Sequence, residues 1–246
     1  MRIGFDIDGT LTPFERFVLV NGKKYMNKKY NMNIRNVYGY DIDQVFEVAQ
    51  VLMERANAKG QNLSLEEAFV KSEEIMEEFW NKYYLKYSLL TPFRTGVGQT
   101  LNKLYSDGDE IYIFTSRKKA CEDNFKGKVV RETIKLQFIL NGAKYTQLIL
   151  APSDERKIEV IKEYNLSAMV DDKPELINEY AKFTTPICIN NNYNINHVFP
   201  NNVYRANGYE NDEVYNVIQK IKEDKINNNS DEVIKYSEPK VKVLKR

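Results

Sequence analysis

From Thr91 onward, short apolar runs alternate with helical stretches of about ten to fifteen residues, and this rhythm limits the fold more than any other feature. The apolar runs are Glu110–Phe114, Gln147–Leu150, Ser167–Val170 and Pro186–Ile189. Between and after them lie helical patterns around Gly98–Tyr105, Val129–Leu140 and Asp154–Tyr164, a helix opened by Pro174, and a last one at Asp212–Ile221. A further apolar run, Arg2–Asp8, stands far upstream and ends at Gly9-Thr10. Strands separated by helices predict an α/β fold: a three-layer, Rossmann-like parallel sheet with helices on both faces.

The stretch between the first strand and Thr91 breaks that rhythm. Phe14–Tyr40 is rich in Tyr and Lys and has no clear period. Ile42, Val45, Phe46, Ala49, Leu52, Met53 and Ala56 then recur at helical spacing, and Gly60 stops the run. Ser64-Leu65-Glu66-Glu67 has the form of a capping box, opening a second amphipathic helix with Ala68, Ile75, Met76, Phe79, Trp80, Tyr83 and Tyr87. A chain of 246 residues suits one large domain or one domain with an insertion. The expected division is a core domain at 1–12 and 91–223, interrupted by a helical insertion at 13–90. Residues 224–246 are rich in Lys, Asn and Asp without a sustained apolar face and predict a flexible charged tail.

Composition narrows the chemistry. Lys+Arg 36 against Asp+Glu 35 gives a net charge of +1, which offers no basic stripe for duplex nucleic acid. No segment approaches the length of a membrane span, and aspartates interrupt the apolar N-terminus, so it is no signal peptide. Two cysteines, Cys121 and Cys188, point to a reducing compartment, and the cytoplasm is the expected location. The single histidine, His197, lies in the Asn-rich stretch Asn190–Asn202 and reads as a surface loop residue. Metal sites and mechanisms that need two histidines are excluded. Polar chemistry falls to carboxylates, hydroxyls and lysine.

In an open parallel sheet, ligands bind beyond the carboxyl ends of the strands. The first strand delivers Asp6 and Asp8, the second Thr115-Ser116-Arg117, and the fourth Asp171-Asp172; Lys157 opens the helix leading to that pair. Each piece alone has a plainer reading, as a helix cap, a turn or a solvated lysine. Capping does not require acid, hydroxyl, lysine and acid pair in that order. Carboxylates converging on one spot repel each other, and a hard divalent cation such as Mg²⁺ is the natural compensation.

The ordered set resembles the haloacid dehalogenase (HAD) superfamily of phosphohydrolases. The resemblance runs through Phe5-Asp6-Ile7-Asp8-Gly9-Thr10-Leu11-Thr12, Ile113-Phe114-Thr115-Ser116, Lys157 and Met169-Val170-Asp171-Asp172. The insertion looks like the helical cap placed after the first motif in many such phosphatases. Thr115-Ser116, the segment Thr133–Tyr145 followed by Lys157, and the double aspartate look like the 5'(3')-deoxyribonucleotidase and bacterial nucleotidase group.

The resemblance implies Asp6 as the nucleophile that forms an aspartyl-phosphate and Asp8 as general acid and base. It places Mg²⁺ among Asp6, the Asp8 backbone carbonyl and Asp171/Asp172. Thr115, Ser116 and Lys157 would hold phosphoryl oxygens, with Gly9 allowing close backbone approach. Arg117, Phe14 and Phe17 are candidate substrate contacts, although aromatics at that spacing also suit a cap core. The expected substrate is a small phosphate ester, with a (deoxy)nucleoside monophosphate favoured and a sugar phosphate as the alternative. A non-catalytic phosphate-binding module or a phospho-switch is the remote one. A receiver-type switch carries its acid pair on the first strand, whereas here the pair comes last.

Overall fold

The apolar run at the N-terminus forms β1 (Arg2–Asp6), whose residues after Arg2 are all buried. Burial on both faces is what a central parallel strand requires. A computed structural model describes residues 1–237, with side chains described through Asn227. The other strands are β2 (Glu110–Thr115), β3 (Gln147–Leu150), β4 (Ala168–Asp171), β5 (Thr185–Ile189) and β6 (Tyr204–Ala206). All pair in parallel in the order β3-β2-β1-β4-β5-β6. The chain moves outward from β1 in both directions, so the crevice beyond the carboxyl end of β1 is a topological switch point.

The insertion contains α1 (Phe14–Phe17), a π-helical turn (Val18–Gly22), α2 (Lys23–Tyr30), α3 (Ile42–Val45), α4 (Val48–Ala58) and α5 (Leu65–Leu90). The sheet is flanked by α6 (Val97–Ser106), α7 (Lys118–Cys121), α8 (Phe125–Leu140), α9 (Asp154–Glu163), α10 (Pro174–Tyr180) and α11 (Glu213–Ser237). One face of the sheet buries Ile3, Phe5, Leu101, Ile134, Phe138 and Ile218 together. The other buries Tyr112, Phe114, Val160, Met169, Ile177 and Tyr180. Phe17, Val18, Met26, Phe46 and Phe79 form a separate cluster within the insertion. Among the described residues, no helix is long and apolar enough to cross a membrane.

The expected elements shift in several places. Strand β1 ends at Asp6, and Asp8 lies in the following turn, where Leu11 and Thr12 both donate their N–H to the Ile7 carbonyl at 2.9 Å. Phe14–Tyr30, which had no readable period, is helical, and Asn31 closes it in the left-handed conformation (φ 52°) open to asparagine. The helix expected over Ile42–Ala56 breaks at Glu47 (φ 47°). Helix α8 starts earlier than expected because the Asn124 side chain caps it, accepting from Gly127 N at 2.8 Å. Strand β6 has three residues and escaped the sequence pattern. The final helix continues to Ser237, so 224–237, expected as tail, extend it; 238–246 lie outside the described residues.

The capping box at Ser64 and Glu67 forms as expected, with both reciprocal bonds present. Asp41 caps α3 at a costlier place. Its carboxylate accepts from Ile42 N (2.6 Å) and Trp80 Nε1 (2.9 Å), and burial pushes its pKa up to about 6. Between its ordinary value of 3.8 and about 6, the folded state holds a proton that the unfolded chain has released. Stability therefore falls with rising pH across that window and levels off above it. Asp41→Asn keeps an acceptor without the charge. Above pH 7 it is expected to stabilise the fold by about 1–3 kcal/mol, with the gain vanishing near pH 4. Urea melts at the two pH values check this, and an equal gain at both refutes the buried-charge explanation.

Candidate active site

The carboxyl ends of β1 and β4 bring three acids together. Ligand oxygens of Asp6, Asp171 and Asp172 all lie within 4.8 Å of one another, and all three residues are buried. Lys157 reaches into this group from the start of α9, donating to Asp6 Oδ1 at 2.6 Å and to Asp171 Oδ2 at 3.0 Å. Tyr180 on α10 donates to the same Asp171 oxygen at 3.2 Å. Asp171 Oδ1 accepts from the backbone N–H groups of Asp172 (2.8 Å) and Lys173 (3.0 Å), which fixes its plane. Asp172 is held by the Thr10 hydroxyl at 2.8 Å and by the Tyr193 hydroxyl. Asn194 Nδ2 clamps its backbone carbonyl at 2.7 Å.

One ammonium against three buried carboxylates leaves the cluster short of positive charge. Burial pushes the Asp6 carboxyl up to about 7, with the Asp171 and Asp8 charges adding to the rise and Lys157 opposing it. Asp172 is raised well above the usual carboxylate range by burial and by the charges of Asp171 and Asp6. Lys157 stays protonated: burial works against its charge, but Asp171 and Asp6 outweigh it and hold its pKa well above the ordinary value. A site with hard oxygen donors and surplus negative charge fits a hard divalent cation.

Asp8 belongs to a different setting. Both oxygens of its carboxylate pair with one edge of the Arg117 guanidinium, accepting from Nη2 at 2.6 Å and from Nε at 2.9 Å. The Tyr87 hydroxyl, from the last turns of α5, donates to Asp8 Oδ1 at 2.6 Å. Burial alone would raise this carboxyl, but Arg117 and Tyr87 hold it below the usual range. Its side chain is 21% exposed against 10% for Asp6, so it sits on the more open side of the pair.

Thr115 is buried at the end of β2, its hydroxyl accepting from Arg117 N at 3.3 Å. The buried hydroxyl oxygen of Ser116 and the third nitrogen of Arg117 have no hydrogen-bond partner. Polar atoms left so are costly unless a ligand or water meets them. Phe14 and Phe17 fall inside the insertion's cluster, 7% and 8% exposed, where Phe14 stacks on Tyr40 and Trp80. Both are packing residues in this structure rather than free faces for a substrate. His197 is exposed and follows a turn, its N–H donating to Asn194 O at 3.0 Å.

Gly9 has φ +86°, and a Cβ there would lie 2.3 Å from Asp172 Oδ2 and 2.6 Å from the Tyr193 hydroxyl. The glycine therefore serves the carboxylate pair as much as any ligand. Gly9→Ala is expected to displace Asp172 and weaken divalent-cation binding at the cluster by about 10-fold or more. A metal titration of the variant checks this, and an unchanged half-point refutes it.

Several residues here carried no sequence signal. Arg94, on the return from the insertion, bonds through NH2 to Gly9 O (3.0 Å), Glu15 Oε2 (2.9 Å) and Asn191 Oδ1 (2.5 Å). Asn191 also donates to Gly9 O at 3.0 Å. Tyr40, in the insertion, meets Tyr193 edge-on at 5.0 Å. The Asn-rich stretch read only as a loop thus supplies the clamp around Gly9 and Asp172.

Comparison with solved structures decides the fold. A crystal structure of a predicted phosphatase from Clostridium acetobutylicum superposes with a TM-score of 0.54 at 16% identity, covering 89% of this chain and 98% of that one. The fold is that of the haloacid dehalogenase superfamily. A beta-phosphoglucomutase from Clostridium difficile gives a TM-score of 0.50 at 14% identity, over 92% of this chain and 98% of the other. In sequence, the chain is 26% identical over 195 residues to a Bacillus cereus protein named "putative nucleotidase", spanning 75% of this chain and 87% of that one. No protein-family profile matches the chain. On this haloacid dehalogenase fold, the sheet order and the convergence of Asp6, Lys157, Asp171 and Asp172 at the switch point agree with the order of motifs read from the sequence.

Proposed function

We propose that this chain is a phosphomonoester hydrolase that works through an aspartyl-phosphate on Asp6 and takes nucleoside monophosphates as substrates. The observation that carries the proposal is the split between two acids two residues apart. Asp6 lies in a buried carboxylate–lysine cluster, and Asp8 stands on its open side among other donors.

In the first half-reaction an Asp6 carboxylate oxygen attacks phosphorus as the bond to the leaving oxygen breaks. Asp8 gives that oxygen its proton. In the second, Asp8 takes a proton from the water that attacks the phosphorus, and Asp6 is released as the carboxylate. Lys157 neutralises charge beside Asp6 throughout, and Thr115 and Ser116 supply hydroxyls to the transferring oxygens. Asp6, Asp171 and Asp172 would hold Mg²⁺, with the Asp8 carbonyl as a further oxygen. Bound there, the ion would offset the carboxylates and draw charge from the phosphoryl group.

Nucleotide preference is supported by the name of the Bacillus cereus relative. It is also supported by the aromatic edge of Tyr40 and Tyr193 beside Asp172, a surface suited to a base. In that arrangement the helical insertion acts as the cap that chooses the substrate. Phosphate release from a panel of nucleoside monophosphates and sugar phosphates, with Mg²⁺ or with chelator, tests the proposal. Nucleotides should be hydrolysed faster, and only with the metal. Equal rates on sugar phosphates refute the nucleotidase assignment. A wild type as inert as Asp6→Asn across the panel refutes the enzyme.

A further inference from the structure

A general acid must be aimed at the leaving oxygen, and two side chains hold the Asp8 carboxyl, Arg117 and Tyr87. Arg117 occupies both of its oxygens. The Arg117 guanidinium also lies over the Tyr87 ring, 5.0 Å from its centroid, and its third nitrogen is buried without a partner. That unpartnered nitrogen leaves the guanidinium a donor for an incoming anion. The second contact that orients Asp8, and needs no charge, is the Tyr87 hydroxyl at 2.6 Å.

Tyr87 is built to keep that position. Its hydroxyl lies 2.7 Å from Thr12 Oγ1, and Thr12 Oγ1 lies 3.0 Å from the Ile7 carbonyl within the turn that carries Asp8. Its ring is edge-on to Phe14, Phe17 and Trp80 in the insertion's cluster. One side chain thus has its ring packed in the insertion and its hydroxyl on the carboxylate.

From this geometry we infer that Tyr87 is the positioning residue for Asp8, holding its carboxyl in line with the leaving oxygen only while the insertion is seated on the sheet domain. The inference rests on the phosphohydrolase function proposed above. In the step concerned, the Asp6 oxygen–phosphorus bond forms, the bond from phosphorus to the leaving oxygen breaks, and the Asp8 proton passes to that oxygen. A leaving group that is stable as an anion needs that proton little; an alkoxide needs it greatly.

Tyr87→Phe keeps the packed ring and removes only the hydroxyl. The measurement is kcat/KM on p-nitrophenyl phosphate and on an alkyl ester such as a nucleoside monophosphate, because this ratio reports formation of the aspartyl-phosphate and not its hydrolysis. The variant is expected to lose about 10- to 100-fold on the alkyl ester and less than about 3-fold on the aryl ester, within the range of acid catalysis. Thr12→Val, which removes the group behind the tyrosine, should shift the ratio in the same direction by a smaller factor. Equal losses on both esters assign Tyr87 a structural role and overturn the inference, as does no loss on either. A wild type that hydrolyses neither ester refutes the phosphohydrolase itself, a result distinct from both.

Discussion

Asp6→Asn is expected to lower kcat by at least about 10³-fold while the protein stays folded, because it removes the proposed nucleophile and leaves its shape. The asparagine can still present an oxygen to Lys157 Nζ, now 2.6 Å from Asp6 Oδ1. It also takes one negative charge from a cluster that burial already disfavours, having raised Asp6 to about 7. Folding should therefore survive the change, and a circular dichroism melt checks that it does. The response to metal should weaken. With only Asp171 and Asp172 ionisable, the rise in melting temperature on adding Mg²⁺ should be smaller than in the wild type. A folded Asp6→Asn variant that keeps activity within about tenfold of wild type would remove Asp6 from the nucleophile's role.

What could be read from sequence, and what could not, divides along the range of the interactions. Strands β1 and β2, helix α5 and the Pro174 helix were legible because each has an unbroken local signal: an apolar run, a serine capping box, a proline at the first turn. Asp6, Lys157, Asp171 and Asp172 were legible as candidates because parallel sheet topology sends strand ends to one edge. The partners of those residues were not. Tyr87 is separated from Asp8 by 79 positions and Arg94 from Gly9 by 85, and nothing local marks a tyrosine or arginine that acts at such a distance. Asn191 and Asn194 lay in a segment whose composition signalled only a loop, yet their side chains do the work of a backbone ladder around Gly9 and Asp172. The first half of the insertion resisted for another reason. Its helices are short, interrupted by a π-helical turn and rich in Lys and Tyr, so packing against α5 rather than intrinsic propensity decides their state.

Lys157→Met should have the largest effect on stability of any change at the site. The methionine replaces most of the apolar stem and deletes the one ammonium that bonds both Asp6 and Asp171. Two buried carboxylates then face each other uncompensated, and breaking such a buried pair costs about 3–5 kcal/mol at neutral pH. The sign of the pH dependence follows from the acids that remain. In the unfolded chain Asp6 titrates near 3.8, whereas in the folded variant it retains its proton to higher pH. Stability of the variant should thus fall as pH rises from about 4 to 8. The wild-type lysine, whose folded pKa lies well above its unfolded value of 10.5, contributes its full stabilisation across that whole range. Denaturant melts at pH 5 and pH 8, with chelator present, measure the difference. Adding Mg²⁺ should recover part of the loss at pH 8, since a cation among the same carboxylates replaces the missing charge. Activity should still fall by about 10²- to 10³-fold, because in the proposed mechanism the lysine also stabilises charge developing on the phosphoryl oxygens. If the variant is as stable as wild type at both pH values, the ammonium is not what holds the carboxylates together. The cluster would then need another explanation for its stability in a metal-free protein.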